Sequence, residues 1–417
     1  MSGSFLVKGG RRLSGSVRIG GSKNAVLPIL AASLLTDGEI LLGNCPRLSD
    51  VQNMLEILRH LGCEAKFSDG TVTLNTSGAS LWEMPEHLSR ELRSSIFLLG
   101  PMLGRFGRAL FTYPGGCEIG LRPIDLHLKG LRVLNAGIEE THGYIICKPS
   151  KLKGAVINLD YPSVGATENV MMAAVKAEGR TVIHNAAMEP EIEYLQDFIN
   201  AMGGMVRGAG SSIIEIEGVK RLHGAEFQIP SDRIVAGTYM TAVAIAGGEV
   251  ELKDIPMDCN QQVIGKLREA GCEIITDIKR AIVRSDGKPK AVRLIETLPY
   301  PGFPTDMQAQ FFALSTIAQG TTMIVENVFE SRFRHAAELI RMGANVTIRD
   351  RMAIIHGVER LTGAAVAAGD LRGGAALVLA GLAAEGATRV DDIHYIDRGY
   401  EALEKDLAQL GADIERI

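Results

Sequence analysis

Two kinds of hydrophobic pattern alternate along the chain. In the segments LEILRHLGCEAKF, LRVLNAGIEE, FINAMGGMVRG, KLREAGCEII, ELIRMGANVTI and LAQLGADIERI, apolar residues recur at helical spacing on one side only. Each then meets a small-residue turn and a short alternating run, which predicts an amphipathic outer helix, a helix stop and a strand. A second series reads KNAVLPILAASLL, RSSIFLLGPMLGRFG, ATENVMMAAVKAEG, VAGTYMTAVAIAGG, DMQAQFFALSTIAQG and LRGGAALVLAGLAAEG. These segments are apolar on most faces, the mark of a helix enclosed by other elements. Strand-like runs such as EILLGN, TVIHNA, EVELKDI, TMIVENV and TRVDDI follow them.

The two series interleave, so the chain is a repeat. With Gly62, Asn135, Gly203, Gly271, Gly343 and Gly411 as equivalent marks, the steps are 73, 68, 68, 72 and 68 residues. Asn135 departs from glycine, yet asparagine is the next residue able to take the left-handed conformation at a helix C-terminus. Six units of strand, buried helix, strand, outer helix and further strands predict an α/β protein with helices packed inside. One unit departs from the others: after RALFTY the second copy carries PGGCEIGLRP, residues 114–123, where its siblings pass quickly to a helix. Extra loops on a rigid scaffold are common carriers of function.

Composition narrows what such a loop serves. The chain has 417 residues, of which 46% are hydrophobic and 22% charged, enough for two domains at about 100–200 residues each. No segment approaches the ~18 apolar residues of a membrane span, and no targeting segment is visible. The six cysteines, at 45, 63, 117, 147, 259 and 272, form no CxxC pair and no metal spacing with histidine. Neither a zinc site nor a disulfide framework is expected, and a reducing cytoplasm fits best. A net charge of −5 argues against a nucleic-acid partner, whose phosphates demand a basic footprint.

An anionic ligand must therefore meet a local cluster of cations. Lys23, Arg93, Asp306 and Arg372 fall at the starts of buried helices, and Arg122, Arg332 and Arg398 on loops leading to outer helices. Equivalent positions in a repeat lie at the same end of the unit, and helix N-termini add partial positive charge and unpaired N–H donors. Singly, each arginine reads as a surface ion pair of little value; together they read as a site. Cys117 is ambiguous by itself, because a lone cysteine is commonly a buried packing residue and glycines do not make a thiol reactive. An Asp that opens a helix is ordinarily an N-cap, and Pro123, Leu126 and Val328 are ordinarily packing residues.

The motifs GGSKNAVLPI, PGGCEIGLRPIDLH, PSVGATENVMMAA, NAAMEPEI, GFPTDMQAQ, FESRFRH, DLRGGAALVLAG and HYIDRGYE resemble, in order and over essentially the whole chain, those of the UDP-N-acetylglucosamine enolpyruvyl transferase family. The resemblance implies two inside-out α/β barrel domains of three pseudo-repeats each, with the active site in the interdomain cleft. One domain would span 21–230; the other would join 1–20 to 231–417. It implies transfer of the enolpyruvyl group of phosphoenolpyruvate to the 3-hydroxyl of UDP-N-acetylglucosamine, the first committed step of peptidoglycan synthesis, without metal or organic cofactor. Closure of the domains around the sugar nucleotide is a further expectation, motivated by cations split between them, Lys23, Arg93 and Arg122 against Arg332, Arg372 and Arg398, since closure excludes water and completes such a site.

By the same resemblance Cys117 is the proton donor or a covalent trap, Asp306 the general base, and Lys23, Arg122 and Arg398 the cations for phosphoenolpyruvate, with Asn24 beside them. Lysine acts there as a point charge and arginine as a bidentate fork, so Lys23→Arg is not conservative. Arg93, the run Arg122, Pro123, Ile124, Asp125 and Leu126, the turn Ser163, Val164 and Gly165, and Val328 fall where the family holds uridine and sugar phosphates. Arg332, Asp370 and Arg372 match further substrate-binding residues, Asp370 also being suited to support an arginine. Tyr161 and Glu118 depart from residues common in relatives, which leaves fine nucleotide contacts open. Two other readings stay open: the sister reaction on shikimate 3-phosphate, and a catalytically idle UDP-sugar-binding paralogue.

Overall fold

The computed structural model describes residues 3–113 and 123–417, without the side chains of Arg90 and Glu91. The inserted loop, with Cys117 and Arg122, lies outside the described residues. Chain contacts separate two compact units, one of residues 3–20 with 231–417 and one of residues 21–113 with 123–230. Each has its own apolar core.

Five of the six sheets share one plan, in which a parallel edge strand is followed by three mutually antiparallel ones. In residues 21–230 the first sheet runs Ala225–Gln228, Glu39–Gly43, Thr71–Asn75, Glu64–Ser68, and the third Val156–Asn158, Arg180–His184, Ile213–Glu217, Met205–Arg207. The second, Ala109–Thr112, Tyr144–Lys148, Gly137–Thr141, has in place of the parallel strand a single bridge from Glu83 to Leu110. In the other unit Leu13–Arg18 pairs with Gly248–Lys253 as the parallel edge of the fourth sheet. In the sixth, Phe5–Lys8 lies between Ala387–Asp391 and Asp413–Arg416. Two strands from the start of the sequence thus close sheets built from its end.

The six repeat marks are helix stops of one kind. Gly62, Gly203, Gly271, Gly343 and Gly411 have φ between 92° and 102°, and Asn135 has φ 72°. At each, two backbone bonds close the helix, for example Gly62 N–H to the Arg59 carbonyl and Cys63 N–H to the Leu58 carbonyl, with the same pair at Asn135 and Ala136. This is the Schellman arrangement, which satisfies carbonyls left over at a helix end. Gly271→Ala is expected to cost about 1–2 kcal/mol from the left-handed backbone alone, since no atom lies within 4 Å of the added Cβ. Gly62→Ala is expected to cost more, because its Cβ would stand 2.5 Å from the Gly78 carbonyl oxygen; denaturant unfolding of the two variants checks the order.

The inner helices are buried almost all round. Gln308–Thr316 is buried at every position, and Arg233–Ala246 at all but Val235 and Ala246. Both pack on Leu371–Ala383. The outer helix Gln261–Glu269 buries only Val263, Ile264 and Leu267, one stripe as its pattern requires. Hydroxyls on inner helices turn back on their own chain: Thr238 Oγ1 donates to the Ile234 carbonyl (2.8 Å), and Ser315 Oγ to that of Phe311 (2.7 Å), which removes the cost of an unpaired buried donor.

One predicted inner helix starts late. Residues Arg93–Leu98 wind as a 3₁₀ helix and the α-helix covers only Leu99–Phe106. Pro101 has no N–H for the Phe97 carbonyl, so α-type bonding cannot reach back through this turn. The N–H of Gly100 donates instead to Asn169 Oδ1 on the facing helix at 2.5 Å. No helix among the described residues is long and apolar enough to cross a membrane.

Candidate active site

In the unit of residues 231–417 the charged groups converge through two helix starts and one loop. Asp370 caps the helix Leu371–Ala383, its Oδ1 accepting from the N–H groups of Arg372 (2.9 Å) and Gly373 (3.0 Å). The cap fixes the first turn, and with it the stem of Arg372, which is buried. Asp370 thereby supports the turn that carries Arg372. Arg332, equally buried, stands in the loop after the strand Thr321–Glu326.

Both arginines meet on Asp306. Arg332 Nη2 donates to Oδ1 at 2.8 Å and Arg372 Nη2 to Oδ2 at 3.1 Å. Arg332 also reaches the Thr305 carbonyl at 3.3 Å. Asp306 is not a helix cap: it lies within the short 3₁₀ turn Thr305–Met307 that follows Pro304, and about a quarter of its side chain stays exposed beside guanidinium groups that are 3% exposed. Burial pushes its carboxyl upward, but Arg372, Arg332 and Arg233 outweigh this and hold it far below the usual carboxylate range. Burial likewise opposes the charge of Arg372, and Asp306, Tyr400 and Asp232 restore it. The group is thus a fixed anion on a cationic cradle.

Three residues around this cradle escaped the reading of the sequence. Arg233 begins the helix Arg233–Ala246 behind its cap Asp232, whose Oδ1 accepts from Ile234 (2.7 Å) and Val235 (3.0 Å). The signal was present, since Ser22-Lys23 has the same cap-then-cation order at the equivalent helix. Tyr400 carries the Arg372 guanidinium 5.5 Å from its ring centroid and places its hydroxyl 2.9 Å from Thr238 Oγ1. His335 stands edge-on to Phe312; burial pulls its imidazole down to about 4, aided by Arg332 and opposed by Asp370, so it is neutral at pH 7. Both rings lie inside quoted motifs, His335 in FESRFRH and Tyr400 in HYIDRGYE, but no periodicity or cap singles them out.

Arg398 ends the 3₁₀ helix Ile393–Arg398 and is half-buried. Val328 lies on the loop between Glu326 and Arg332, its N–H bonded to Glu326 Oε1 at 2.8 Å.

In the unit of residues 21–230, Lys23 begins the helix Lys23–Ala32, where Ser22 Oγ accepts from the Ala25 N–H at 3.3 Å. Its Nζ lies 2.7 Å from Asp50 Oδ2, with both side chains largely buried. Asn24 and Arg93 are half-buried, and the helix of Lys23 packs on the 3₁₀ turn that Arg93 opens. Pro123 and Asp125 are exposed, Leu126 is half-buried, and Ile124 is buried at the start of the helix Asp125–Val133.

Ser163 caps the helix Val164–Ala174 by accepting from Ala166 at 3.4 Å. Its first N–H groups, those of Val164 and Gly165, have no carbonyl in their own helix. A Cβ on Gly165 would stand 3.0 Å from His127 of the helix that Ile124 begins, so the segments 123–126 and 163–165 are neighbours. An anion-accepting helix start thus lies beside the loop that the resemblance associates with nucleotide binding.

Residues 7–407 match the family model described as EPSP synthase (3-phosphoshikimate 1-carboxyvinyltransferase). The chain is 51% identical over 415 residues to UDP-N-acetylglucosamine 1-carboxyvinyltransferase 2 of Caldanaerobacter subterraneus subsp. tengcongensis, covering 100% of both. It is 51% identical over 414 residues to UDP-N-acetylglucosamine 1-carboxyvinyltransferase of Halorhodospira halophila, covering 99% of each. Among solved structures, the enolpyruvyl transferase NikO from Streptomyces tendae superposes with TM-score 0.89 at 24% identity, covering 100% of this chain and 99% of that one. EPSP synthase from Acinetobacter baumannii gives TM-score 0.76 at 21% identity, covering 99% of each. These two carry the fold: paired three-repeat α/β units with six small mixed sheets. Half of all residues shared from end to end carries more, and the chain belongs to the UDP-N-acetylglucosamine 1-carboxyvinyltransferases of the enolpyruvyl transferase family.

Proposed function

We infer that the protein transfers the enolpyruvyl group of phosphoenolpyruvate to the 3-hydroxyl of UDP-N-acetylglucosamine and releases phosphate, feeding peptidoglycan synthesis. One observation carries the choice of acceptor: identity of 51% over the full length to enzymes of that name. The chemistry needs one group to deliver a proton to the methylene carbon of the enol ether and another to remove the proton of the attacking hydroxyl. Elimination then takes a proton from the new methyl group and supplies one to the phosphate as its bond to the pyruvyl carbon breaks. Asp306 is the base in this reading. Its low basicity is offset by fixed placement, since proximity supplies much of such a barrier.

Cys117 delivers the proton in the addition. Lys23, Arg122 and Arg398 bind phosphoenolpyruvate and stabilise the charge that gathers on departing phosphate. Asn24, Arg93, the segment 122–126, Ser163, Val164, Gly165 and Val328 orient the sugar nucleotide. Arg332, Asp370 and Arg372 hold the base. We place the reaction in the cytoplasm, which suits chemistry that depends on a free thiol.

Phosphate release from phosphoenolpyruvate is expected with UDP-N-acetylglucosamine as acceptor and not with shikimate 3-phosphate. Release with shikimate 3-phosphate alone would reverse the choice of acceptor. Release with neither would sink the enzyme reading.

A further inference from the structure

The buried carboxylate of Glu326 closes a ring of contacts around Asp306. Glu326 is the last residue of the strand Thr321–Glu326 and is 1% exposed. Its Oε1 accepts from the N–H groups of Val328 (2.8 Å) and Phe329 (3.0 Å), and its Oε2 from Thr305 Oγ1 (2.9 Å). The Phe329 ring lies 5.5 Å from the Arg332 guanidinium. Arg332 in turn donates to Asp306 and to the Thr305 carbonyl. One carboxylate therefore ties the turn that presents Asp306 to the loop that carries Val328 and orients Arg332.

We propose that Glu326 is a positioning residue for the transfer reaction, setting the Asp306 carboxylate and the Val328 loop in one register. The proposal rests on the base role of Asp306 inferred above. An uncharged scaffold contact would be enough to close a strand end. A buried carboxyl group that accepts three bonds is costlier to build than an apolar contact and fixes the direction of each of its donors. Its three donors belong to the two segments whose relative placement decides whether the base meets the sugar hydroxyl. The remainder of the loop is separately secured, Asn327 N–H to Thr297 Oγ1 at 2.9 Å and Arg351 Nη1 to the Asn327 carbonyl at 3.0 Å. Loss of Glu326 therefore moves Thr305, Val328 and Phe329 rather than unfolding the strand end.

The test is a double-mutant cycle on kcat, with melting temperature recorded for each variant. Glu326→Ala is expected to lower kcat roughly 10²-fold, the scale of a misplacement of about 1 Å at a reacting group, and to raise KM for UDP-N-acetylglucosamine. Glu326→Gln is expected to restore most of this, its amide oxygen accepting both N–H groups and its amide nitrogen donating to Thr305 Oγ1. In an Asp306→Asn background, Glu326→Ala is expected to cost little further kcat, because groups that act as a unit are not additive. The same loss in both backgrounds, or wild-type kcat in folded Glu326→Ala, would overturn the proposal. Full activity of Asp306→Asn by itself would instead remove the base assignment. If Glu326→Ala does not fold, Thr305→Val, which deletes one arm, carries the same cycle and is read by the same criteria.

Discussion

Asp306→Asn lowers kcat for phosphate release by about 10²–10⁴-fold, the range of a lost general acid or base, while the protein also loses stability. The side chain keeps its shape in this variant, so the loss of rate measures the missing base rather than a cavity. The stability cost has a separate origin. Arg332 and Arg372 are each 3% exposed at the side chain and share the Asp306 carboxylate between them. An amide offers one acceptor and turns its NH₂ toward the other guanidinium, leaving buried positive charge uncompensated, at about 3–5 kcal/mol.

The pH dependence has a definite sign. A carboxyl whose folded pKa is depressed contributes stability that is fully present above its unfolded value of about 3.9 and is lost only as pH falls through the lower folded one. Asp306 is held far below the usual range, so any acid limb of the rate profile above about pH 4 belongs to another group. Calorimetric melts and kcat across pH 4–8 check both parts; wild-type kcat in Asp306→Asn would remove the residue from the mechanism.

Cys117→Ala is expected to lower steady turnover by about 10²–10⁴-fold on the proton-donor reading. Cys117→Ser separates the two roles: single-turnover chemistry retained while steady turnover fails would make the thiol a covalent trap and an aid to product release. Alkylation gives an independent readout. Burial pushes the thiols of Cys45 and Cys147 up to about 12, and those of Cys63 and Cys272 up to about 11.

Since the thiolate is the nucleophile, these four are nearly inert at neutral pH. Cys259 is half-buried and is the competitor that peptide mapping must exclude. Fosfomycin, a thiol-alkylating mimic of phosphoenolpyruvate, is expected to add once, at Cys117, and not to Cys117→Ser. An active enzyme without label at Cys117 would contradict an accessible thiol.

The repeat was legible because its signals are local. A residue able to hold positive φ two places past the last helical residue stops the outer helix whatever surrounds it, and all six marks do so, Asn135 included. The contrast between LRVLNAGIEE and VAGTYMTAVAIAGG separated outer from inner helices because burial selects apolar residues by face. The Arg93 helix was drawn as wholly α because the apolar run hides where its bonds go. Pro101 denies one bond, and Asn169, 69 residues from Gly100, supplies another.

At the site, the sequence determined which cations and which carboxylate stand at helix starts and loops, together with the family those motifs belong to. Only the tertiary structure decided that Asp306 is gripped by Arg332 and Arg372, 26 and 66 residues away. It also decided that Glu326 binds Thr305, 21 residues earlier. Caps and periodicities act within one or two turns, so the order of residues encodes them directly. A charge pair across such distances exists only once packed inner helices and sheet ends bring its partners together and exclude the water that would screen them.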